Sequence, residues 1–120
     1  MIDLTLPFPP AVNNITAVVR NRKITSKRGR QYRKEAIEAI CQQYSGEVLS
    51  GRLDVRIVLF PPCRRKRDID NYSKAILDAI TAAGIWEDDE QVDYITIIRG
   101  EVAKGGGCQV TITAYGEAAA

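Results

Sequence analysis

Two apolar alternations, each stopped by prolines, constrain this chain more than any other feature. In "IDLTLPFPP" the residues Ile2, Leu4 and Leu6 fall on every second position, and in "RLDVRIVLFPP" Leu53, Val55, Ile57 and Leu59 do the same. A period of two sends alternate side chains to one face, the pattern of a strand with a buried side. Proline has no N–H to give a ladder, so both strands must stop where the prolines begin. Their apolar face needs a cover, and two segments of helical period supply one. In "TSKRGRQYRKEAIEAICQQYSG" the residues Tyr32, Ala36, Ile37, Ile40, Cys41 and Tyr44 recur at helical spacing, behind Thr25 or Ser26 as cap and ending near Gly46. In "IDNYSKAILDAITAAG" the residues Ile69, Tyr72, Ile76, Ala79, Ile80 and Ala83 share one arc, with Gly84 as terminator and Asp70, Lys74, Asp78 and Thr81 opposite.

The segments "QVDYITIIRGEV" and "GCQVTITAY", joined through "AKGGG", read as a closing β-hairpin. Residues 11–26 read as a polar loop bearing Asn and Arg, and the terminal "GEAAA" as a frayed end. The order is thus β-α-β-α-β-β. Its most economical arrangement is an α+β domain, one mixed sheet with two helices packed on one face. At 120 residues, 45% hydrophobic and 27% charged, the chain suits a single domain over 1–120 with one core.

Composition removes several chemistries. The chain has no histidine, which excludes Ser-His-Asp, Cys-His and His-ligated zinc sites and leaves carboxylates, Lys and Tyr as catalytic groups. Three cysteines, at 41, 63 and 108, have no CxxC spacing and form no disulfide framework, in keeping with a reducing cytoplasm. The start "MIDLTLPFPPAV" lacks a basic region followed by a long apolar run, and no later stretch approaches the length of a membrane span, so a cytoplasmic protein without membrane association is expected.

The net charge of +2 hides a sorted distribution. Of 17 lysines and arginines, eight lie between Arg20 and Lys34 and four more in Arg64–Arg67, while eight of the 15 acids lie between Asp68 and Asp93. The stretch "CRRKRDIDNYSK" sets these opposites side by side. Asp68 and Asp70, at i and i+2 before a helix, point the same way in an extended segment, and the loop acids Glu87, Asp88, Asp89 and Glu90 could complete an oxygen-rich site for Mg²⁺, or Mn²⁺. The plainer reading makes Asp70 or Asn71 a helix cap and "EDDE" a solvated turn. Lys74, four residues after Asp70, either forms an i,i+4 pair with it, worth about 0.3–0.5 kcal/mol, or neutralises a scissile phosphate.

The cations Arg20, Arg22, Lys23, Lys27, Arg28, Arg30, Arg33 and Lys34, and separately Arg64, Arg65, Lys66 and Arg67, could be ordinary solvated surface. Cations at a helix start, however, oppose the helix dipole and cost stability there, which suggests a compensating use in holding a phosphate backbone. Tyr32 and Tyr44 belong to the core face. A cationic wall beside metal-binding carboxylates draws in a polyanion and lowers the carboxylate pKa values, which is the logic of a nuclease. The alternative is a non-catalytic nucleic-acid-binding module with the same basic loops.

The stretch "RDIDNYSKAILDAITAAGIWEDDEQVDY" resembles the RusA family of Holliday junction resolvases, endonucleases of bacteria and their phages. The resemblance lies in R-D-x-D-N-x-x-K, a helix of fixed length, and G-x-W-x-D-D-x-Q-V-D-Y, with "LPFPPAVNN" near the start and "KGG" before the last strand. It implies a Mg²⁺-dependent homodimer that binds four-way DNA junctions and nicks two strands symmetrically. It places the catalytic aspartates at Asp68, Asp70 and Asp89, with Asp88 adjacent as a further metal ligand, and the catalytic lysine at Lys74. Arg67 matches a basic position beside the first aspartate. The family often has Ser after the N-terminal Pro-Pro where this chain has Ala11, a departure that bears only on a DNA-contacting role for the loop around Asn13 and Asn14.

Overall fold

The computed structural model describes residues 1–116, so the terminal residues from 117 on, part of the segment read as frayed, lie outside it. Its elements are β1 (Ile2–Leu6), β2 (Thr16–Val19), β3 (Arg22–Thr25), α1 (Lys27–Gln43), β4 (Leu53–Phe60), α2 (Ser73–Ala82), β5 (Val92–Arg99) and β6 (Gly107–Ala114), with single 3-10 turns at Val12–Asn14, Ile69–Asn71 and Asp89–Gln91. Both double-proline strands form as read. A mixed four-stranded sheet in the order β1-β6-β4-β5 carries α1 and α2, and the alternating residues of β1, β4 and β6 meet Tyr32, Ala36, Ile40, Ile76, Ala79 and Ile80 in one core. Ser26 caps α1, its Oγ accepting from the Gly29 N–H at 3.0 Å.

The expected β5–β6 hairpin does not form. β4 lies between the two strands, antiparallel to β6 and parallel to β5. Leu53, Val55, Ile57 and Leu59 are all essentially inaccessible, and a strand so apolar is best satisfied with a neighbour on each side. The connection through α2 is of the length a parallel crossover needs. The "GEVAKGG" linker therefore straddles the end of β4, where the Gly100 N–H donates to the Leu59 carbonyl at 2.7 Å and the Ala103 N–H to the Pro61 carbonyl at 2.9 Å.

The segment read as a polar loop contains a second, two-stranded sheet, β2 paired with β3 from Thr16↔Thr25 to Val19↔Arg22. Its turn is Arg20-Asn21, with φ of 52° and 61°. Two consecutive positive φ values define the tight turn that matches strand twist, usually signalled by Asn-Gly, a signal absent here. The hairpin reaches α1 through Gly29, where a Cβ would stand 2.6 Å from the Ile15 carbonyl oxygen. Only glycine lets the two backbones approach this closely.

Candidate active site

The cationic loop Arg64–Arg67 leaves the proline end of β4 and runs directly into Asp68. Asp68 is extended (φ −92°, ψ 121°), Ile69–Asn71 make a 3-10 turn, and α2 begins at Ser73. The two aspartates thus lie on an extended residue and a 3-10 turn, not on one extended segment. Neither Asp68, Asp70 nor Asn71 caps α2. The residue before the helix is Tyr72, which makes no side-chain capping bond, and Asp68 makes none to the 3-10 turn. Local capping therefore does not account for the DxD pair.

Lys74 does not pair with Asp70. Because Asp70 precedes the helix, the four-residue offset that stacks side chains on one helical face is unavailable to it. Within α2 that offset joins Lys74 to Asp78, with Nζ 3.4 Å from Oδ1. The second acidic group, Glu87–Glu90, follows α2 in an exposed turn that packs back on the helix. Asp88 does act as a cap, accepting from the Glu90 N–H at 3.0 Å.

Burial, a hydrogen bond with Asp88, and the charges of Asp88 and Asp78 hold the Asp89 carboxyl above its ordinary value, while Lys74 acts against them. Asp78, Asp88, Asp89 and Lys74 therefore form one electrostatic group. Sequence reasoning placed Asp78 on the outer arc of α2 but gave it no part in the site. Its four-residue distance from Lys74 was the available signal. Asp78, Asp89 and Arg33 line one side of a cavity of about 330 Å³ between α1 and α2.

A second cavity, of about 360 Å³, includes Asn14, Arg28, Arg65 and Arg67 in its wall, and Tyr32 lines both cavities. Asn13 lies on the exposed 3-10 turn beside it. Arg64, Arg65 and Lys66 are exposed, as are Lys27, Arg28 and Arg30 at the start of α1 and Arg20, Arg22 and Lys23 on the hairpin. Arg67 differs from its neighbours. Its guanidinium donates to the carbonyls of Cys63 (2.9 Å) and Arg65 (3.2 Å) and to the Cys63 Sγ (3.3 Å), and stacks over Phe8 with 5.5 Å to the ring centroid. Arg67 thus shapes the loop from within, and its bond is one cause, after the backbone bond from Arg65, of a lowered Cys63 thiol pKa.

The candidate donors are all carboxylate oxygens, largely exposed, the hard ligands that Mg²⁺ and Mn²⁺ take. Among the described residues no three acidic side chains converge closely enough to hold one ion. Asp68 and Asp70 stand before α2, and Asp88 and Asp89 after it. Among the described residues no helix is long and apolar enough to cross a membrane.

Comparison with known proteins adds a whole-chain likeness to this geometry. Residues 7–113 match the family described as "Endodeoxyribonuclease RusA". The protein named crossover junction endodeoxyribonuclease RusA in Escherichia coli is 38% identical over 114 residues, 95% of each chain. Its namesake in Enterobacteria phage 82 is 38% identical over 113 residues, 94% of each chain.

Proposed function

The chain belongs to the RusA endodeoxyribonuclease family, and on that premise we propose that it is a resolvase of four-way DNA junctions, a homodimer making symmetric, Mg²⁺-dependent nicks in the cytoplasm of a bacterial or phage-infected cell. The observation that carries this reading is the continuity of an exposed cationic loop with Asp68, Asp70 and Lys74, next to an acidic turn charge-coupled to that lysine. Asp68, Asp70, Asp88 and Asp89 are the residues that would hold Mg²⁺, or Mn²⁺, and would have to draw together to do so, since among the described residues no three acids converge on one point. A bound divalent ion supplies hydroxide from water near neutral pH and offsets charge on the phosphoryl oxygens. Lys74 provides a positive charge that strengthens its hold on the phosphate as the transition state forms. The exposed cations on the hairpin, at the start of α1 and in the 64–66 loop bind the phosphate backbone on either side. A dimer with two-fold symmetry presents equivalent sites to opposed strands of a nearly two-fold substrate.

The test incubates the protein with a mobile synthetic junction and with linear duplex, in Mg²⁺ or EDTA, and maps the nicks. Paired nicks confined to the junction and to Mg²⁺ are expected. Asp70→Asn should bind the junction as wild type does and leave it uncut. Junction binding by the wild type without nicking would instead support the non-catalytic binding module, and equal cutting of linear duplex a general nuclease.

A further inference from the structure

The motif "EDDEQVD" contains two polar residues beyond its run of four acids, Gln91 and Asp93, that neither the carboxylate site nor the phosphate-binding cations employ. In the structure Gln91 makes four bonds. Its Oε1 accepts from the N–H groups of Glu87 (3.0 Å) and Asp88 (3.2 Å), and its Nε2 donates to the carbonyls of Leu49 (3.1 Å) and Gly51 (3.0 Å). Arg52 adds a second clamp. Its Nε donates to Asp93 Oδ1 at 2.9 Å, its Nη1 to both carboxylate oxygens of Glu90 at 3.1 and 3.2 Å, and its Nη2 to the Glu90 carbonyl.

Four consecutive carboxylates, facing a fifth at Asp78, repel one another, and an exposed turn has little packing with which to oppose that repulsion. A neutral amide that binds four backbone groups and a guanidinium that takes up Glu90 and Asp93 oppose it directly. Both clamps end on the segment 49–52. That segment is anchored in turn, with the Leu49 N–H donating to the Ile85 carbonyl at 2.8 Å and the Arg52 carbonyl accepting from the Tyr115 N–H at 2.9 Å.

We propose that Gln91 and Arg52 are positioning residues that lock the acidic turn Glu87–Glu90 onto the 49–52 segment and so fix the place of Asp88 and Asp89 beside α2, on which cleavage depends. This rests on the nuclease reading of Asp89. The amide at 91 is specifically required, because a glutamate there would lose both Nε2 donors and set another carboxylate against the Leu49 and Gly51 carbonyls.

The test uses the full chain as wild type, Gln91→Ala, Gln91→Glu, Arg52→Ala and Arg52→Lys, with Arg56→Ala on the exposed face of β4 as control. Junction affinity is measured in EDTA, single-turnover nicking across a Mg²⁺ titration, melting temperature on each variant, and backbone amide exchange at Glu87 and Asp88. Gln91→Ala, Gln91→Glu and Arg52→Ala should keep junction affinity within about twofold, nick about 10–100-fold more slowly and need more Mg²⁺ for half-maximal rate. Amide exchange at Glu87 and Asp88 should speed up at least tenfold in Gln91→Ala, and Arg52→Lys should recover part of the rate. Nicking within twofold of wild type, unchanged exchange, or a loss explained by the unfolded fraction at the assay temperature would overturn the proposal. A wild type that does not nick would defeat the nuclease reading instead, and the exchange rates would still decide whether Gln91 locks the turn.

Discussion

The side chains most exposed to alternative readings were the carboxylates. Asp68 and Asp70 stood out by their spacing and by the cations in front of them, whereas Asp89 was singled out from Glu87–Glu90 only by the resemblance to the RusA family. That Asp88 caps its turn, that Asp78 takes Lys74, and that Asp89 is raised by burial and by both neighbours depends on how α2 presents its outer face to the following turn. Sequence distance gives no access to that, because Asp78 and Asp89 meet only when the chain reverses after α2. The same scale holds a prediction about pH. Burial pushes the Cys108 thiol up to about 12 from an ordinary 9.0, and pushes the Tyr32 hydroxyl upward as well. A group whose folded pKa lies above its unfolded value contributes stability that is complete below the unfolded pKa and is lost as pH climbs to the folded one. Denaturant midpoints should therefore fall between about pH 9 and pH 12. Cys108→Ala should show a shallower alkaline decline; an identical slope would assign the loss elsewhere.

Among elements, the strands and helices with strong periodicity were legible to within a few residues, since a run such as Leu53 to Leu59 carries its own signal. The β2–β3 hairpin was not. Its residues are mostly exposed, so no buried alternation marks it, and its Arg20-Asn21 turn lacks the usual glycine. Gly29, in the first turn of α1, is the one local trace that something packs closely there. Gly29→Ala tests the trace. Alanine favours a helix over glycine by about 1 kcal/mol, but here its Cβ would fall 2.6 Å from a carbonyl oxygen that cannot rotate away. We expect a net destabilisation of about 1–3 kcal/mol by urea unfolding. Gain of stability would mean that the hairpin yields easily.

Over the described residues, opposite charges are sorted to different segments: hairpin, first turn of α1 and 64–66 loop cationic, both flanks of α2 acidic. Removing Arg64, Arg65 and Lys66 together should weaken junction binding and flatten its salt dependence, the slope of log affinity on log salt falling by about 0.9 for each phosphate no longer neutralised. An unchanged slope would place the binding surface on the hairpin and α1 alone. The overall α+β layout of a mixed sheet beneath two helices follows from the alternation of element types along the chain. Which strands adjoin does not. β5 and β6 are consecutive and joined by a glycine-rich linker, the local mark of a hairpin, yet β4 inserts between them because its four inaccessible side chains favour an interior position.

By itself the sequence determined what depends on near neighbours: period, proline stops, the absence of histidine, and the runs of acids and cations from which the family resemblance then picked out single residues. The tertiary structure alone decided what depends on distant parts of the chain. It set strand order, turned Arg67 inward onto Phe8, paired Lys74 with Asp78, and tied the acidic turn to residues some forty positions earlier through Gln91 and Arg52. The reason is physical. Local conformational preferences act within a few bonds, whereas repulsion among carboxylates and burial of a strand are resolved only by whatever the rest of the fold brings against them.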